Sequence, residues 1–432
     1  MKTRARVHPK LTALFRALDD EGVVWCLLRG EADLAAPEGD VDLLVTRSNL
    51  PRVRRVAARL GFAAITAWGY GSHAFFVSYD ALGDLWLKLD LVTELAYGPN
   101  YSLVTGAETE CLERRRRVEG IWVLADDDAF WSLLLHRLLD KGGVGSRDAA
   151  RLPVLAETAR TDSTLARTVD SFCPPGWSAG SIVAAASRGE WASLAALGAE
   201  LAAAWRSRQR GSLRRRTITN TFWRWSGKVR GWSGRRGLRV ALVAPDGAGK
   251  STLTKGIEAR FYFPARSISM GLYQMPQAKA GRRLPGVGLA GQLSTQWAGW
   301  LQGAYHRRRG RLVLFDRYPY DALLPTRFQY SRLGRARRWV LAHSCPPPEL
   351  VVILDAPGEL LYERKGEKTA ALLETQRQAY RALLPRLPRA VIVDASREAE
   401  QVRPEVTALV WQEYTRRWNG EASRRERYPN EG

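Results

Sequence analysis

Residues 240–261 read VALVAPDGAGKSTLTKGIEARF, and GKST sets an amine and two hydroxyls at the start of a helix. An apolar strand, a glycine-containing turn and such a helix together suit phosphate binding. Backbone N–H groups of the loop and first helical turn point at the anion, and Gly247 and Gly249 let the chain approach it closely. Gly247, Ala248, Gly249, Lys250, Ser251 and Thr252 are therefore the expected nucleotide-binding residues, with Lys250 reaching the β- and γ-phosphates and the Ser251 hydroxyl binding Mg²⁺. Two positions depart from the plain pattern. Ala244 stands six residues before the lysine, where a glycine is usual, and costs little unless that residue needs a positive φ. Asp246 puts a carboxylate into a loop of anion-binding donors.

A second set of chemical groups lies early in the chain. The stretch LLRGEADLAAPEGDVDLLV carries Gly30 and then Asp40 and Asp42, one residue apart on an apolar strand. Strand alternation puts both carboxylates on one face and Val41 in the core. Two carboxylates so placed can bridge metal ions at a nucleotide's phosphates. The later strand LWLKLDLV adds Asp90 among apolar residues, where a carboxylate needs a partner and a metal would be one. Asp40, Asp42 and Asp90 are thus expected metal ligands alongside Ser251. His136, in FWSLLLHRLLDKG, reads as a packed helix residue.

The elements around these groups divide the chain. Its length of 432 residues exceeds one ordinary core. Segments 1–125 alternate helices with apolar strands, whereas 126–206 is helical and Ala-rich. Segment 207–237 is rich in Arg, Gly, Ser and Trp and reads as a basic joint. From Leu238 the apolar runs LRVALVA, RLVLFD, ELVVILDA and RAVIVDA are continuous rather than alternating, as in a parallel sheet buried on both faces. That α/β region is expected over 238–418, with a polar, frayed tail over 419–432. The net charge is +22, and the stretch from Trp205 to Arg239 holds 12 Arg or Lys and no acid. Such a field attracts phosphorylated substrates, anionic lipid and nucleic acid. The four cysteines form no CxxC pair. With no apolar run long enough to span a bilayer, a cytoplasmic chain with reduced thiols is expected.

Three ordered stretches, DGAGKST, LVLFDRYPYD and VVILDAPGELLYERKGE, resemble the thymidylate kinase family over roughly Leu238 to Trp418. The resemblance implies ATP and Mg²⁺, with Asp246 contacting a sugar hydroxyl of a monophosphate acceptor and Arg317 gripping its phosphate. Asp316 would end its strand near the metal. Arg364, Lys365, Lys368 and Arg377 would belong to a mobile basic lid, and Asp355 would cap a strand–loop junction. Tyr273, Trp297 or Trp300 could stack on an acceptor base or simply pack a helix.

The glycine, the DxD pair and the later apolar–Asp–apolar strand are in turn similar to the nucleotidyltransferase superfamily over roughly Val23 to Val92. Where many members carry Gly-Ser, this chain has Gly30-Glu31. The expected architecture is an α/β C-terminal P-loop parallel sheet with flanking helices, preceded by a nucleotidyltransferase-like α/β domain and a helical extension.

The expected reaction is transfer of the γ-phosphoryl of ATP to a nucleoside monophosphate or other phosphate-bearing acceptor. The alternatives are a sugar or lipid-linked acceptor at a membrane, nucleotidyl transfer by the first half, or nucleotide sensing without turnover. The Trp-studded joint suits an anionic membrane surface better than nucleic acid, since no nucleic-acid module accompanies the charge. A homodimer is left open.

Overall fold

The structure, a computed structural model, describes residues 7–29, 34–65, 72–208, 221, 237–271, 287–325, 331–387 and 389–427. The chain forms two compact units. One comprises residues 1–78 and 86–229, and the other 79–85 and 230–432.

The first unit opens with α1 (Pro9–Asp20), started by Pro9 and by the His8 side chain, which accepts from the Lys10 N–H. Its strands are β1 (Trp25–Leu27), β2 (Asp40–Val45), β3 (Ala63–Ala64), β4 (His73–Asp80) and β5 (Leu85–Val92), with α2 (Leu50–Arg59) after β2. A small ladder of β6 (Ala96–Tyr97) and β7 (Leu103–Val104) follows, then α3 (Glu108–Glu113), β8 (Arg116–Val118) and β9 (Ile121–Val123). The larger sheet has seven strands in the order β3-β4-β5-β2-β1-β9-β8. β2 and β5 run parallel in a register that pairs Asp42 with Asp90 and Asp40 with Lys88.

Helices α4 (Asp126–Leu135), α5 (Ser146–Ala156), α6 (Thr164–Phe172), α7 (Ala179–Ser187) and α8 (Trp191–Arg208) complete this unit. They share one core with the sheet: Trp131, Phe130 and Trp205 pack in the same apolar cluster as Cys26, Leu44 and Val92. The helical extension is therefore continuous with the first half's core.

The second unit holds β10 (Arg239–Val243), α9 (Lys250–Arg260), β11 (Ala265–Ser269), α10 (Val287–Arg308), β12 (Leu312–Asp316) and α11 (Arg332–His343). Beyond them come β13 (Leu350–Asp355), α12 (Gly358–Lys365), α13 (Ala370–Leu383), β14 (Ala390–Asp394) and α14 (Ala399–Arg427). Its five strands lie in the order β11-β12-β10-β13-β14, and every pairing is parallel. Strands β10, β12 and β13 are buried along almost their whole length, as continuous apolar runs require.

Two expectations change. Residues 419–427 continue α14 rather than forming a frayed tail, because Glu421, Ala422 and the arginines that follow favour helix and no proline intervenes. The edge strand β11 was not foreseen, and its residues are mostly exposed. Most of the basic joint, and Tyr273, lie outside the described residues. The four cysteines are unpaired thiols. Among the described residues no helix is long and apolar enough to cross a membrane.

The packing of α10 on the sheet gives a direct test. A Cβ added at Gly303 would stand 2.6 Å from Cζ and 2.9 Å from Cε1 of Phe315, a ring with no exposure. Helix propensity favours alanine by about 1 kcal/mol, but overpacking a ring that cannot swing away costs roughly 1–3 kcal/mol. Gly303→Ala is expected to lower the unfolding midpoint of the second unit in denaturant melts; an unchanged or raised midpoint would contradict this packing.

Candidate functional site

The central strand β10 runs straight into the loop 244–249, and Gly249 at φ 76° starts α9 on Lys250. Ala244 is not among the residues with positive φ, whereas Gly247 (φ 91°) and Gly249 are. Alanine thus fits the place of the missing glycine, because an L-residue is unstrained there. Gly247 has no such freedom: a Cβ on it would stand 2.3 Å from the Leu361 carbonyl oxygen of α12.

Lys250 is buried, and its Nζ donates to the carbonyls of Ala244 at 2.9 Å and Pro245 at 2.8 Å. Burial and the nearby Arg317 charge push its ammonium down to about 8, against the pull of Asp321 and Asp246. Ser251 and Thr252 are exposed on the first turn of α9. The Ser251 hydroxyl donates to the Asp316 carboxylate at 2.8 Å, so hydroxyl and carboxylate face the same point, as a shared Mg²⁺ would require.

Asp246 is the meeting point of the site. It accepts from the Arg317 guanidinium and pairs with Lys368 Nζ at 2.7 Å. Burial would push its carboxyl up, but the Lys368 and Arg317 cations outweigh burial and hold it well below the usual carboxylate range. Arg317 also approaches Asp321 at 3.5 Å, and it does so from a left-handed backbone at φ 73°. Such a conformation costs a non-glycine residue about 1 kcal/mol or more and clusters at functional sites. Asp321 accepts from the Tyr380 hydroxyl at 2.6 Å. Burial pushes its carboxyl up, while the Tyr380 bond and the Arg317 and Lys250 charges pull it down.

The basic residues after β13 divide into groups. Lys368 reaches Asp246 as described. Arg377 grips Asp355 through two bonds of 2.8 and 2.9 Å, and Arg381, which sequence reasoning missed, joins it at 2.9 Å. The structure does not bring Arg364 and Lys365 to the polar groups of the loop. Arg364 donates to the carbonyls of Ala395, Ser396 and Arg397, and Lys365 pairs with Glu367 at 3.1 Å. Arg364 is thus an anchor between α12 and the turn after β14. Asp321 and Tyr380 were also missed, although Asp321 closes the DRYPYD stretch. Trp300 packs against the core below the sheet, with the Arg239 guanidinium 5.3 Å from its ring. Trp297 meets it edge-on at 5.5 Å.

In the first unit Asp42 and Asp90 do come opposite each other, but each is already engaged. Asp42 accepts from Arg29 at 3.0 and 2.7 Å. Asp90 accepts from His73 Nδ1 at 3.0 and 2.8 Å. Burial pushes the Asp90 carboxyl up, countered by the His73 bond, and burial raises Asp40 as well. Among the described residues no group of three acidic, histidine or cysteine side chains is placed to hold a metal ion. In this structure a guanidinium and an imidazole pair with Asp42 and Asp90, two of the three carboxylates expected to hold a metal. His136 bonds Asp140 at 2.8 Å, and burial lowers its pKa despite that bond.

A five-stranded parallel sheet whose central first strand leads into a glycine-turned GKST loop defines a P-loop kinase-like fold in the second unit. No protein-family model matches the chain, and no curated protein matches it. Among solved structures, a thymidylate kinase from Candida albicans is similar at 18% identity and a TM-score of 0.35, over 42% of this chain and 93% of that one.

The two unusual loop positions should respond oppositely to substitution. Ala244→Gly is expected to change stability by less than about 1 kcal/mol. Gly247→Ala meets both a carbonyl and the left-handed backbone and is expected to cost about 2 kcal/mol or more. Paired denaturant melts of the two variants measure the contrast, and equal midpoints would refute the described loop geometry.

Proposed function

We propose that the second unit is an ATP-dependent phosphotransferase of the thymidylate kinase type, moving the γ-phosphoryl of ATP to a phosphate-bearing acceptor. The observation that carries this reading is the Arg317–Asp246 contact. It ties a cation suited to an acceptor phosphate directly to the loop that would hold the donor phosphates. Lys250 leaves its own loop carbonyls for the donor's β- and γ-phosphates, Arg317 orients the acceptor, and Lys368 is close enough to add charge from the lid side. Ser251 and Asp316 would hold Mg²⁺, which supplies charge neutralisation at the phosphates. The protein's share of the catalysis is positioning and electrostatic stabilisation. For the first unit, the Asp42–Asp90 register supports a nucleotidyltransferase-like architecture.

The direct test is ATP consumption with Mg²⁺ over a panel of phosphate-bearing acceptors, dTMP first. Lys250→Ala and Arg317→Ala are each expected to lower kcat/KM by roughly a hundredfold or more, as for loss of one charge-stabilising donor. Arg317→Ala should also raise the KM for the acceptor while leaving that for ATP nearly unchanged. Wild-type protein that binds ATP tightly but turns over no phosphate-bearing acceptor would defeat the proposal.

The Lys250 ammonium adds a pH test. In the free protein it loses its proton near pH 8, and the phosphates of ATP favour the protonated form. ATP affinity is therefore complete below about pH 8 and falls as pH rises, by up to about tenfold per unit until the bound-state pKa is reached. Of the other groups at the site, Asp246 is held well below this range and Arg317 and Tyr380 above it, while burial pushes the Asp321 carboxyl up. Lys250→Arg keeps its charge across this range, so its ATP affinity should stay flat from pH 7.5 to 9.5. Calorimetric titrations of both proteins decide it, and parallel profiles would rule out Lys250 as the titrating group.

A further inference from the structure

The first unit contains a cleft of about 1120 Å³ that the phosphotransferase reading leaves unused. Its volume is at the upper end for small-molecule sites. His73, Phe75 and Tyr101 form part of the wall, and Asp40, Asp42 and Asp90 lie along it. The His73 side chain is only 9% exposed. Asp90 takes its Nδ1–H, which fixes the ring and leaves Nε2 as the second nitrogen. Tyr101 stacks on the imidazole with centroids 3.9 Å apart, from a left-handed backbone at φ 52°. Nε2 itself is buried and has no hydrogen-bond partner among the described residues.

A buried polar atom left unmatched is costly, and a group that hydrogen-bonds it recovers that cost. With Nδ1 held by Asp90, Nε2 is the ring nitrogen left to meet a ligand hydroxyl. The other charged groups of the wall are largely matched in pairs: Asp42 with Arg29, His136 with Asp140, and Arg137 with Asp148.

The charge of the wall narrows the ligand further. The described lining includes five Lys or Arg and six Asp or Glu, a formal balance of −1, in a chain whose net charge is +22. A nucleoside triphosphate held by direct ion pairs alone would need a surplus of cations, which the described lining does not supply. Paired planar polar groups beside aromatic rings suit hydroxyl recognition with apolar stacking instead.

From this geometry we infer that the cleft of the first unit binds an uncharged polyhydroxylated molecule, a sugar or cyclic polyol, with His73 receiving one of its hydroxyls and Asp90 holding His73 in place. The inference concerns the first unit alone and stands or falls independently of phosphotransfer by the second.

The experiment is calorimetric titration of the full-length chain with glucose, N-acetylglucosamine, maltose and myo-inositol, beside glucose 1-phosphate and MgATP. MgATP is titrated into Lys250→Ala protein to silence the other unit. At least one neutral probe should bind saturably, and more tightly than glucose 1-phosphate. His73→Ala should weaken that probe by about tenfold or more, as expected for loss of a buried hydrogen bond, and Asp90→Asn should weaken it less.

If His73→Ala fails to fold, judged by its melting curve, the wild-type protein still provides a readout. The chain has five histidines, and His73→Gln identifies the His73 ring signals in long-range ¹H–¹⁵N spectra. The neutral probe should shift the Nε2 resonance of His73. Absence of saturable binding by every neutral probe, unchanged affinity in His73→Ala, an unmoved Nε2 signal, or a cleft that takes only MgATP would each overturn the inference.

Discussion

Lys250 is the constraint around which the loop after β10 is organised. A buried ammonium cannot stay charged without acceptors, and its Nζ finds them in the carbonyls of Ala244 and Pro245, residues of its own loop. That arrangement works only if the chain turns back sharply after β10. The turn comes from Gly247 and Gly249 at positive φ, and Gly247 must also pass under the Leu361 carbonyl, where no side chain fits. The strand fixes where the loop begins, the left-handed glycines fix its curl, and the lysine closes the ring. In the proposed reaction, an incoming phosphate would replace carbonyl dipoles with full negative charge, and the loop already holds its cation under partial desolvation.

The two units handle charge in opposite ways. In the second, the carboxylate of Asp246 holds two cations, Arg317 and Lys368, at the mouth of the loop. An Asp in an anion-binding loop is thereby reconciled with function, because its charge is spent on positioning cations. In the first unit the cleft's charges come close to cancelling. The chain's large net charge consequently says little about what each cavity prefers, and local pairing decides.

How much of this was readable in the sequence depended on whether the information was local. β10, β12 and β13 were legible because strands buried on both faces must be continuous apolar runs. β11, with the pattern ARSIS at the sheet edge, carries no such run and was missed. The loop residues were legible because motif spacing sets their backbone. Ala244 was correctly treated as cheap on condition of an ordinary φ, and it has one. Partner choice was not legible. Alternation put Asp40 and Asp42 on one face, and the parallel register then set Asp42 beside Asp90. Nothing in the spacing revealed that Arg29 and His73 would pair with those carboxylates. Arg364 failed for the same reason: a cation in a basic helix is indistinguishable by sequence from its neighbours until the carbonyls of residues 395–397 come within reach.

Arg317 shows why a strained backbone persists at such a position. After β12 the chain could continue with ordinary dihedrals and point the next side chain away from the loop. It adopts φ 73° instead, and the guanidinium lands between Asp246 and Asp321. One of those carboxylates belongs to the phosphate loop, and the other is bonded by Tyr380 of α13. The charge-assisted bond to Asp246, worth about 1.5–3 kcal/mol when well made, exceeds the roughly 1 kcal/mol that a left-handed residue costs. The strain is sustained for that reason. In the proposed reaction, an acceptor phosphate that draws Arg317 toward itself would have only to loosen these contacts, since the backbone is already turned toward it.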